Sequence, residues 1–290
     1  MKPPPFAYHA PESLDDALAL VGEHGDEAKV LAGGQSLVPL MAFRLARPAV
    51  LVDVNRVPGL SEVAVHDGAL VVGTMVRERA AERSPAVRAH VPLLAEALPL
   101  VGHPAIRSRG TVGGSIAHAD PAAELPAVAL ATDAVLVARS AARGERAIAA
   151  ADFFLGYFTT ALEPDEILTE VRFPVAPAGT GVRFEEAARR HGDFAMVGVG
   201  ASVQLDGGTV VDARIALLGV ADAPVRSAEA EAMLRGGPPS RAAFEAAANA
   251  AVRELTPPSD LHGSAAYRRS VAGTLVTRAL EGAAAAAGGA

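Results

Sequence analysis

Two short glycine segments carry the residue types from which an anion site is built. They are Ala32-Gly33-Gly34-Gln35-Ser36-Leu37 and Gly110-Thr111-Val112-Gly113-Gly114-Ser115. A diphosphate needs several donors close together and a backbone it can approach without a side chain in the way. Consecutive main-chain amides in a tight turn supply the donors, and glycine supplies the open approach. Gln35, Ser36, Thr111 and Ser115 add side-chain donors. One such segment is a common strand-to-turn junction. Two in one chain predict a clamp that holds a phosphate pair from opposite sides. Neither is followed by Gly-Lys-Ser/Thr, which disfavours a triphosphate loop. The spaced Gly-x-Gly-x-x-Gly fingerprint is absent from both, so a dinucleotide held here would sit in a fold other than the Rossmann type.

Other chemistry-bearing residues are sparse. His103, His118 and His191 lack a second histidine or carboxylate at ligand spacing on an obvious helix and read as structural. No nucleophile–base pair stands out, so no catalytic residue and no metal ligand is assigned.

The elements that position these segments follow from local signals. Ser13 caps a helix whose first turn holds Asp15 and Asp16, with Leu14, Ala17, Leu18 and Val21 at helical spacing and Gly25 at its end. Lys29 to Ala32 is a short strand that runs into the first glycine segment. Ala49–Val54 and Ala69–Gly73 are further strands, and Pro92–Val101 is a helix. Beyond the second glycine turn, Ala122–Ala131 reads as a helix, and Ala134–Ala138 and Glu166–Phe173 as strands. Pro174–Gly181, rich in Pro, Ala and Gly, is the linker. After it come strands over Val182–Ala188, Met196–Leu205 and Val210–Leu218, the last two joined by Asp206-Gly207-Gly208 as a tight hairpin. Alternation in Val197, Val199, Ala201, Val203 and Leu205 predicts a sheet with one covered face. Helices follow over Ser227–Arg235, Ser240–Leu255 and Ala265–Gly282, with a fraying Ala/Gly tail.

Composition bounds the function. The 290 residues are 50% hydrophobic and 20% charged, as expected of a packed globular chain of one large or two ordinary domains. The net charge of -7 does not suggest a nucleic-acid footprint. No apolar run reaches the ~18 residues of a membrane span, and the Met1-Lys2-Pro3-Pro4-Pro5 start lacks an apolar signal core. A cytoplasmic protein is expected. The chain has no cysteine, which excludes disulfides and an all-cysteine iron–sulfur cluster. Any metal redox centre must sit on another polypeptide.

Further segments fall in a recognisable order: Leu51-Val52-Asp53-Val54-Asn55, Asp120-Pro121, Glu124-Leu125-Pro126, Glu166-Ile167-Leu168-Thr169-Glu170-Val171, Arg190-His191-Gly192-Asp193-Phe194-Ala195, and Tyr267-Arg268 ahead of Leu275-Val276. With the two glycine segments, they make nearly the whole chain resemble the medium, FAD-binding subunit of the xanthine dehydrogenase and carbon monoxide dehydrogenase (molybdenum hydroxylase) family. The resemblance implies an α+β protein. Its FAD-binding domain, of the vanillyl-alcohol-oxidase type, would span residues 1–176 as two α/β lobes (1–57 and 58–176) with FAD between them. Residues 177–290 would form a C-terminal domain of three-stranded antiparallel sheet with helices.

The same resemblance implies site residues. Ala32, Gly33, Gly34, Gln35, Ser36 and Leu37, with Thr111, Val112, Gly113, Gly114 and Ser115, would hold the diphosphate. Glu124 would accept hydrogen bonds from the ribose or adenine end, with Asp120 the weaker candidate. Leu168 would pack near the flavin, and Phe194 would cover or flank the isoalloxazine. The molybdenum cofactor would belong to a large partner subunit and two 2Fe–2S clusters to a small one, in a dimer of heterotrimers. This chain would take electrons from those clusters and pass them to an external acceptor. Two departures stand out: Ser115 replaces an asparagine found in many relatives, and Glu185 and Glu186 stand where relatives often carry lysine. Two alternatives remain open at this point. One is a stand-alone flavin oxidase, which would need its own substrate cavity; the other is a scaffold subunit that has lost FAD.

Overall fold

A computed structural model of the chain describes residues 2–253 and 255–288. The first lobe is a three-stranded parallel sheet: β1 (Ala7–His9), β2 (Ala28–Leu31) and β3 (Val50–Asp53), with β3 in the centre. Helix α1 (Leu14–His24) covers it with Ala17, Leu18 and Val21. Ser13 caps α1 by accepting from the Asp16 amide at 3.1 Å, and Gly25 ends it at φ 49°. The first glycine segment leaves the C-terminal end of β2 and enters α2 (Leu37–Ala42). The carboxyl ends of parallel strands are where such sheets place ligands.

The second lobe is a five-stranded antiparallel sheet built from β4 (Val63–His66), β5 (Ala69–Gly73), β6 (Val135–Ser140), β7 (Gly144–Ala149) and β10 (Glu166–Pro174), in the order β4-β5-β10-β6-β7. A small hairpin, β8 (Phe154–Gly156) and β9 (Thr159–Thr160), precedes β10. Between β5 and β6 run six short helices: α3 (Glu78–Arg83), α4 (Pro85–His90), α5 (Pro92–Ala97), α6 (Pro104–Arg107), α7 (Val112–His118) and α8 (Glu124–Ala131). Proline opens α4, α5 and α6, where its missing N–H costs nothing. Every residue of α8 is buried, consistent with its apolar composition all round. The one-turn α9 (Ala150–Phe153) joins β7 to β8.

In the C-terminal region three long antiparallel strands, β11 (Thr180–Ala187), β12 (Val197–Asp206) and β13 (Thr209–Leu218), are joined by a two-residue edge strand, β14 (Val225–Arg226). Gly207 and Gly208 take φ 54° and 79°, the conformation a two-residue hairpin with right-handed twist requires. Helices α10 (Ala228–Leu234), α11 (Arg241–Arg253) and α12 (Ala265–Gly288) pack on the face that presents Val197, Val199, Ala201 and Val203.

Two expectations are corrected here. The sheet is covered on both faces. Phe184, Ala216 and Leu218 join the core of the second lobe, and a Cβ on Gly200 would stand 3.4 Å from Leu93 of α5. The Phe184 amide also donates to Glu96 of α5 at 2.8 Å. The Ala/Gly tail does not fray from Gly282; α12 continues to Gly288, with Ala283 and Ala287 buried. Side-chain-free Gly181 on β11 lets the tail approach, since a Cβ there would stand 2.9 Å from the Ala286 carbonyl carbon.

Candidate functional site

The first glycine segment is an open cradle. Gly34 sits at φ 73°, a region that L side chains avoid, while Gly33 does not, and an alternation of this kind lets successive amides face one anion. Among the described residues, no protein acceptor meets the N–H groups of Gly33, Gly34, Gln35 or Ser36. Gln35 braces the turn by donating from Nε2 to the Gly33 carbonyl at 3.1 Å. Ser36 stands at the helix start without capping it, which leaves its hydroxyl free. Ala32, Gln35, Ser36 and Leu37 are half-buried around this cradle, and Gly33 is buried beneath it.

The second segment meets the first side by side. A Cβ on Gly33 would stand 2.8 Å from Gly110 Cα and 2.9 Å from the Arg109 carbonyl carbon, so the loops touch backbone to backbone. The expectation of a second amide cradle is corrected. Val112 to His118 is the helix α7, and Thr111 caps it. The Val112, Gly113 and Ser115 amides donate to the carbonyls of Val76, Thr74 and Thr111, at 3.0, 3.1 and 3.0 Å. Gly114 N–H donates to Thr111 Oγ1 at 3.0 Å. These four donors are spent. Gly113 serves packing, because its Cβ would fall 2.6 Å from Thr74 Cα, and a Cβ on Gly114 would crowd the capping hydroxyl at 2.7 Å. What this segment offers outward is the half-buried Ser115 hydroxyl, which has no partner among the described hydrogen bonds. Val112 points into the core.

Residues the sequence reading did not single out tie the two segments together. Asn55, just past β3, donates from Nδ2 to the Ala32 carbonyl at 2.8 Å. Arg77 donates to Asn55 Oδ1 at 2.6 Å and to the Arg109 carbonyl at 2.5 Å. Asp53 anchors Asn55 and accepts from Tyr8 at 2.6 Å. The only local signal was Asp53-Val54-Asn55 at a strand end; Arg77 gave none.

Behind the loops lies an acidic interior. Glu124, at the start of α8, is 3% exposed, and Glu78, at the start of α3, is 4% exposed. Burial pushes Glu124 up to about 8, helped by the like charges of Glu186, Glu78 and Asp120. Burial likewise raises Glu78 to about 7 against the pull of Arg107, and Glu186 to about 7. Burial therefore favours the neutral acid at Glu124, which can donate one hydrogen bond and still accept others. Asp120 accepts from the Ala122 amide at 2.9 Å and shapes the turn before α8.

The remaining candidates divide. Phe194 is 61% exposed on the loop between β11 and β12. That loop lies against the second lobe, since Gly192 at φ 88° would carry a Cβ 3.1 Å from the Gly102 carbonyl carbon. Leu168, 4% exposed on β10, belongs to the core of the second lobe and not to the opening. His118 stacks on Phe158 at 5.0 Å, and burial lowers its pKa.

These residues fit a dinucleotide in three ways: a set of unspent amides, a half-buried hydroxyl on each segment that has no partner among the described residues, and an exposed aromatic ring, Phe194, on the loop between β11 and β12. A two-lobed α/β unit with a glycine-loop cradle between its lobes, joined to a sheet-and-helix unit, defines a flavin-binding class of protein. Residues 4–176 match the family described as the FAD binding domain in molybdopterin dehydrogenase, and residues 182–283 match the CO dehydrogenase flavoprotein C-terminal domain. The chain belongs to this family of FAD-binding molybdenum-hydroxylase subunits and is a subunit of an FAD-dependent oxidoreductase. It is 45% identical to the 6-hydroxypseudooxynicotine dehydrogenase complex subunit alpha of Paenarthrobacter nicotinovorans, over 97% of this chain and 95% of that one. It is 42% identical to the carbon monoxide dehydrogenase medium chain of Hydrogenophaga pseudoflava, over 98% of each. The fold superposes on a solved carbon monoxide dehydrogenase chain from H. pseudoflava with a TM-score of 0.96 at 44% identity, covering 98% of this chain and 99% of that one. For quinoline 2-oxidoreductase of Pseudomonas putida 86 the values are 0.94 and 40%, with 99% of each chain covered.

Proposed function

We propose that this chain holds FAD with its diphosphate on the Gly33–Ser36 amides and relays electrons from the 2Fe–2S clusters of a small partner subunit to an external acceptor. The observation that carries the reading is the unspent amide set at Gly33, Gly34, Gln35 and Ser36, in a chain whose net charge of -7 would otherwise repel a diphosphate. When bound, the flavin supplies two-electron acceptance paired with one-electron exchange. The protein's own part is positioning. The Gly33–Ser36 loop orients the diphosphate, and the Asn55–Arg77 link fixes that loop against Gly110. Ser115 adds one hydroxyl at the second segment, and Phe194 flanks the ring system. Leu168 acts through the core wall and not by open contact.

The molybdenum centre and the clusters belong to partners in this reading, in line with a sequence that has no cysteine. The relatives' names place them in complexes with subunit alpha, beta or medium designations. We extend this to a large molybdenum subunit and a small iron–sulfur subunit, arranged as a dimer of heterotrimers. The match to carbon monoxide dehydrogenase medium chains supports this reading over a stand-alone oxidase. The test is co-expression with a large molybdenum subunit and a small iron–sulfur subunit from the same genome. The expected product is a yellow complex containing flavin, iron and molybdenum, whose flavin is reduced by substrate only when the iron–sulfur subunit is present. A colourless chain without affinity for FAD, or flavin reduction by substrate in the isolated chain, would overturn the assignment.

A further inference from the structure

A half-buried cation stands where the two glycine segments meet. Arg77 precedes α3, and its backbone pairs with Thr111 in an isolated antiparallel bridge. Its guanidinium divides between the lobes. One arm donates to the Arg109 carbonyl at 2.5 Å and the other to Asn55 Oδ1 at 2.6 Å. The Arg109 carbonyl carbon lies 2.9 Å from where a Cβ on Gly33 would stand, and Asn55 in turn holds the Ala32 carbonyl at 2.8 Å. Arg77 is thus one residue removed from Gly33 through Arg109, and one residue removed from Ala32 through Asn55.

Both groups that receive Arg77 are neutral, one a carbonyl and the other an amide. Among the described residues neither Arg77 nor the exposed Arg109 enters a salt bridge, whereas the nearby Arg107 is paired with Glu82 at 2.9 Å. Asp53 is the carboxylate that Arg77 feels, and it is bonded to Asn55 and Tyr8. Glu78, next in the chain, turns its carboxyl against Gly110. Burial and the like charge of Arg109 lower the Arg77 pKa, yet a guanidinium stays charged at any working pH. A partly desolvated cation without a carboxylate is costly, and an arriving anion offsets that cost. In a chain of net charge -7, these two arginines make the meeting point of the loops locally positive.

We propose that Arg77 is a positioning residue for the diphosphate: it clasps the two lobes through Asn55 and Arg109, and its charge, joined by that of Arg109, is kept uncompensated for an anionic ligand on the Gly33–Ser36 loop. This rests on the reading that the loop holds FAD, and it assigns the electrostatic part of the affinity to cations outside the glycine pairs. Clasp and charge are separable. Arg109 gives the clasp only its main-chain carbonyl, so Arg109→Gln removes a charge and leaves the clasp. Arg77→Lys keeps the charge but cannot reproduce the planar fork that reaches both acceptors. Arg77→Met removes both.

The experiment uses the full chain stripped of flavin, titrated with FAD by fluorescence between about 50 and about 500 mM salt, with thermal melting alongside. The parent should lose affinity as salt rises. Arg77→Met should bind FAD about tenfold or more weakly at low salt, with a flatter salt dependence. Arg77→Lys should bind more weakly than the parent and keep the parent's salt slope. Arg109→Gln should flatten the slope at an unchanged melting temperature, and it decides the question if Arg77→Met folds poorly. An unaltered salt slope in Arg77→Met or Arg109→Gln overturns the proposal. So does a lysine variant as flat as the methionine one, or a parent whose FAD affinity ignores salt. If the parent binds no FAD at any salt concentration, the cofactor reading itself fails; if the parent binds and the variants match it, only the role of Arg77 does.

Discussion

Gly33→Ala tests the site most directly, because a single methyl enters the contact between the two loops. Its Cβ would stand 2.8 Å from Gly110 Cα and 2.9 Å from the Arg109 carbonyl carbon, and both of these are backbone atoms that no rotamer change can move. Ordinary carbon contacts begin near ~3.5 Å, so the loops must part by roughly half an ångström or more. Overpacking of this kind costs about 1–3 kcal/mol of stability. Separation also strains the Asn55–Ala32 and Arg77–Arg109 bonds that join the loops. Hydrogen bonds to a charged group are worth about 1.5–3 kcal/mol each. Misaligning two of the cradle amides should therefore weaken FAD by about 3 kcal/mol or more, on the order of a hundredfold. Flavin fluorescence titration and thermal melting measure the two effects separately. Gly22→Ala is the control: no atom lies within 4 Å of its Cβ, and it sits inside α1. It should raise stability by about 0.5–1 kcal/mol and leave FAD binding alone. Unchanged FAD affinity in Gly33→Ala would refute the claim that loop contact sets the cradle.

Three other substitutions probe the scaffold. Thr111→Ala removes the oxygen that accepts from Gly114 and should cost about 1 kcal/mol, seen as a lowered denaturation midpoint with FAD retained at reduced affinity. For Glu124→Gln the sign follows from the raised value: the folded chain holds its proton between the ordinary 4.5 and about 8, so stability is full below that window and falls as pH rises through it. At about 1.4 kcal/mol per pH unit the loss has a ceiling of about 5 kcal/mol. Urea melts of the flavin-free variant should accordingly show it gaining on the parent as pH rises from about 5 to about 8 and levelling off above that, and equal pH slopes within this window would contradict it. Arg268→Met strips a buried guanidinium that is bonded to Asp260 at 2.8 and 3.0 Å, to the Gly219 carbonyl at 3.1 Å and to the Met196 carbonyl. It should cost about 3–5 kcal/mol and appear as a lower melting temperature or loss of soluble protein.

What the sequence made legible is what local chemistry controls. Ser13 with Asp15 and Asp16, the Asp206-Gly207-Gly208 hairpin and the Gly33–Ser36 turn each act within a few residues, and each stands where it was expected. The edge strands β4 and β7 were missed because their side chains are largely exposed and carry little alternation. Helix α7 was read as a turn because two glycines oppose helix formation. Its start is set instead by Thr111 and by the close approach of Thr74, a contact across the fold. Asn55, Arg77 and Glu78 acquire their places only when loops more than twenty residues apart meet, as in the Arg77 bond to Arg109 at a separation of 32 residues. Apart from the Asp53-Val54-Asn55 strand end, no local pattern announces that.

The two glycine pairs look alike in sequence but do different physical work. At Gly33-Gly34 the amides meet no protein acceptor among the described residues, so this pair is suited to bind. At Gly113-Gly114 the missing side chains let a helix sit against Thr74 and its own cap, and the amides there are already committed to protein acceptors. A donor that is already bonded adds little to a ligand, because forming the new bond breaks the old one. Anion affinity is therefore concentrated in a single loop, and the second segment governs where that loop stands. Damage to the second pair should move affinity only through displacement of the first, with melting temperature and binding falling together. Damage at Gly34, whose φ of 73° shapes the cradle itself, should reduce binding well beyond any loss in stability.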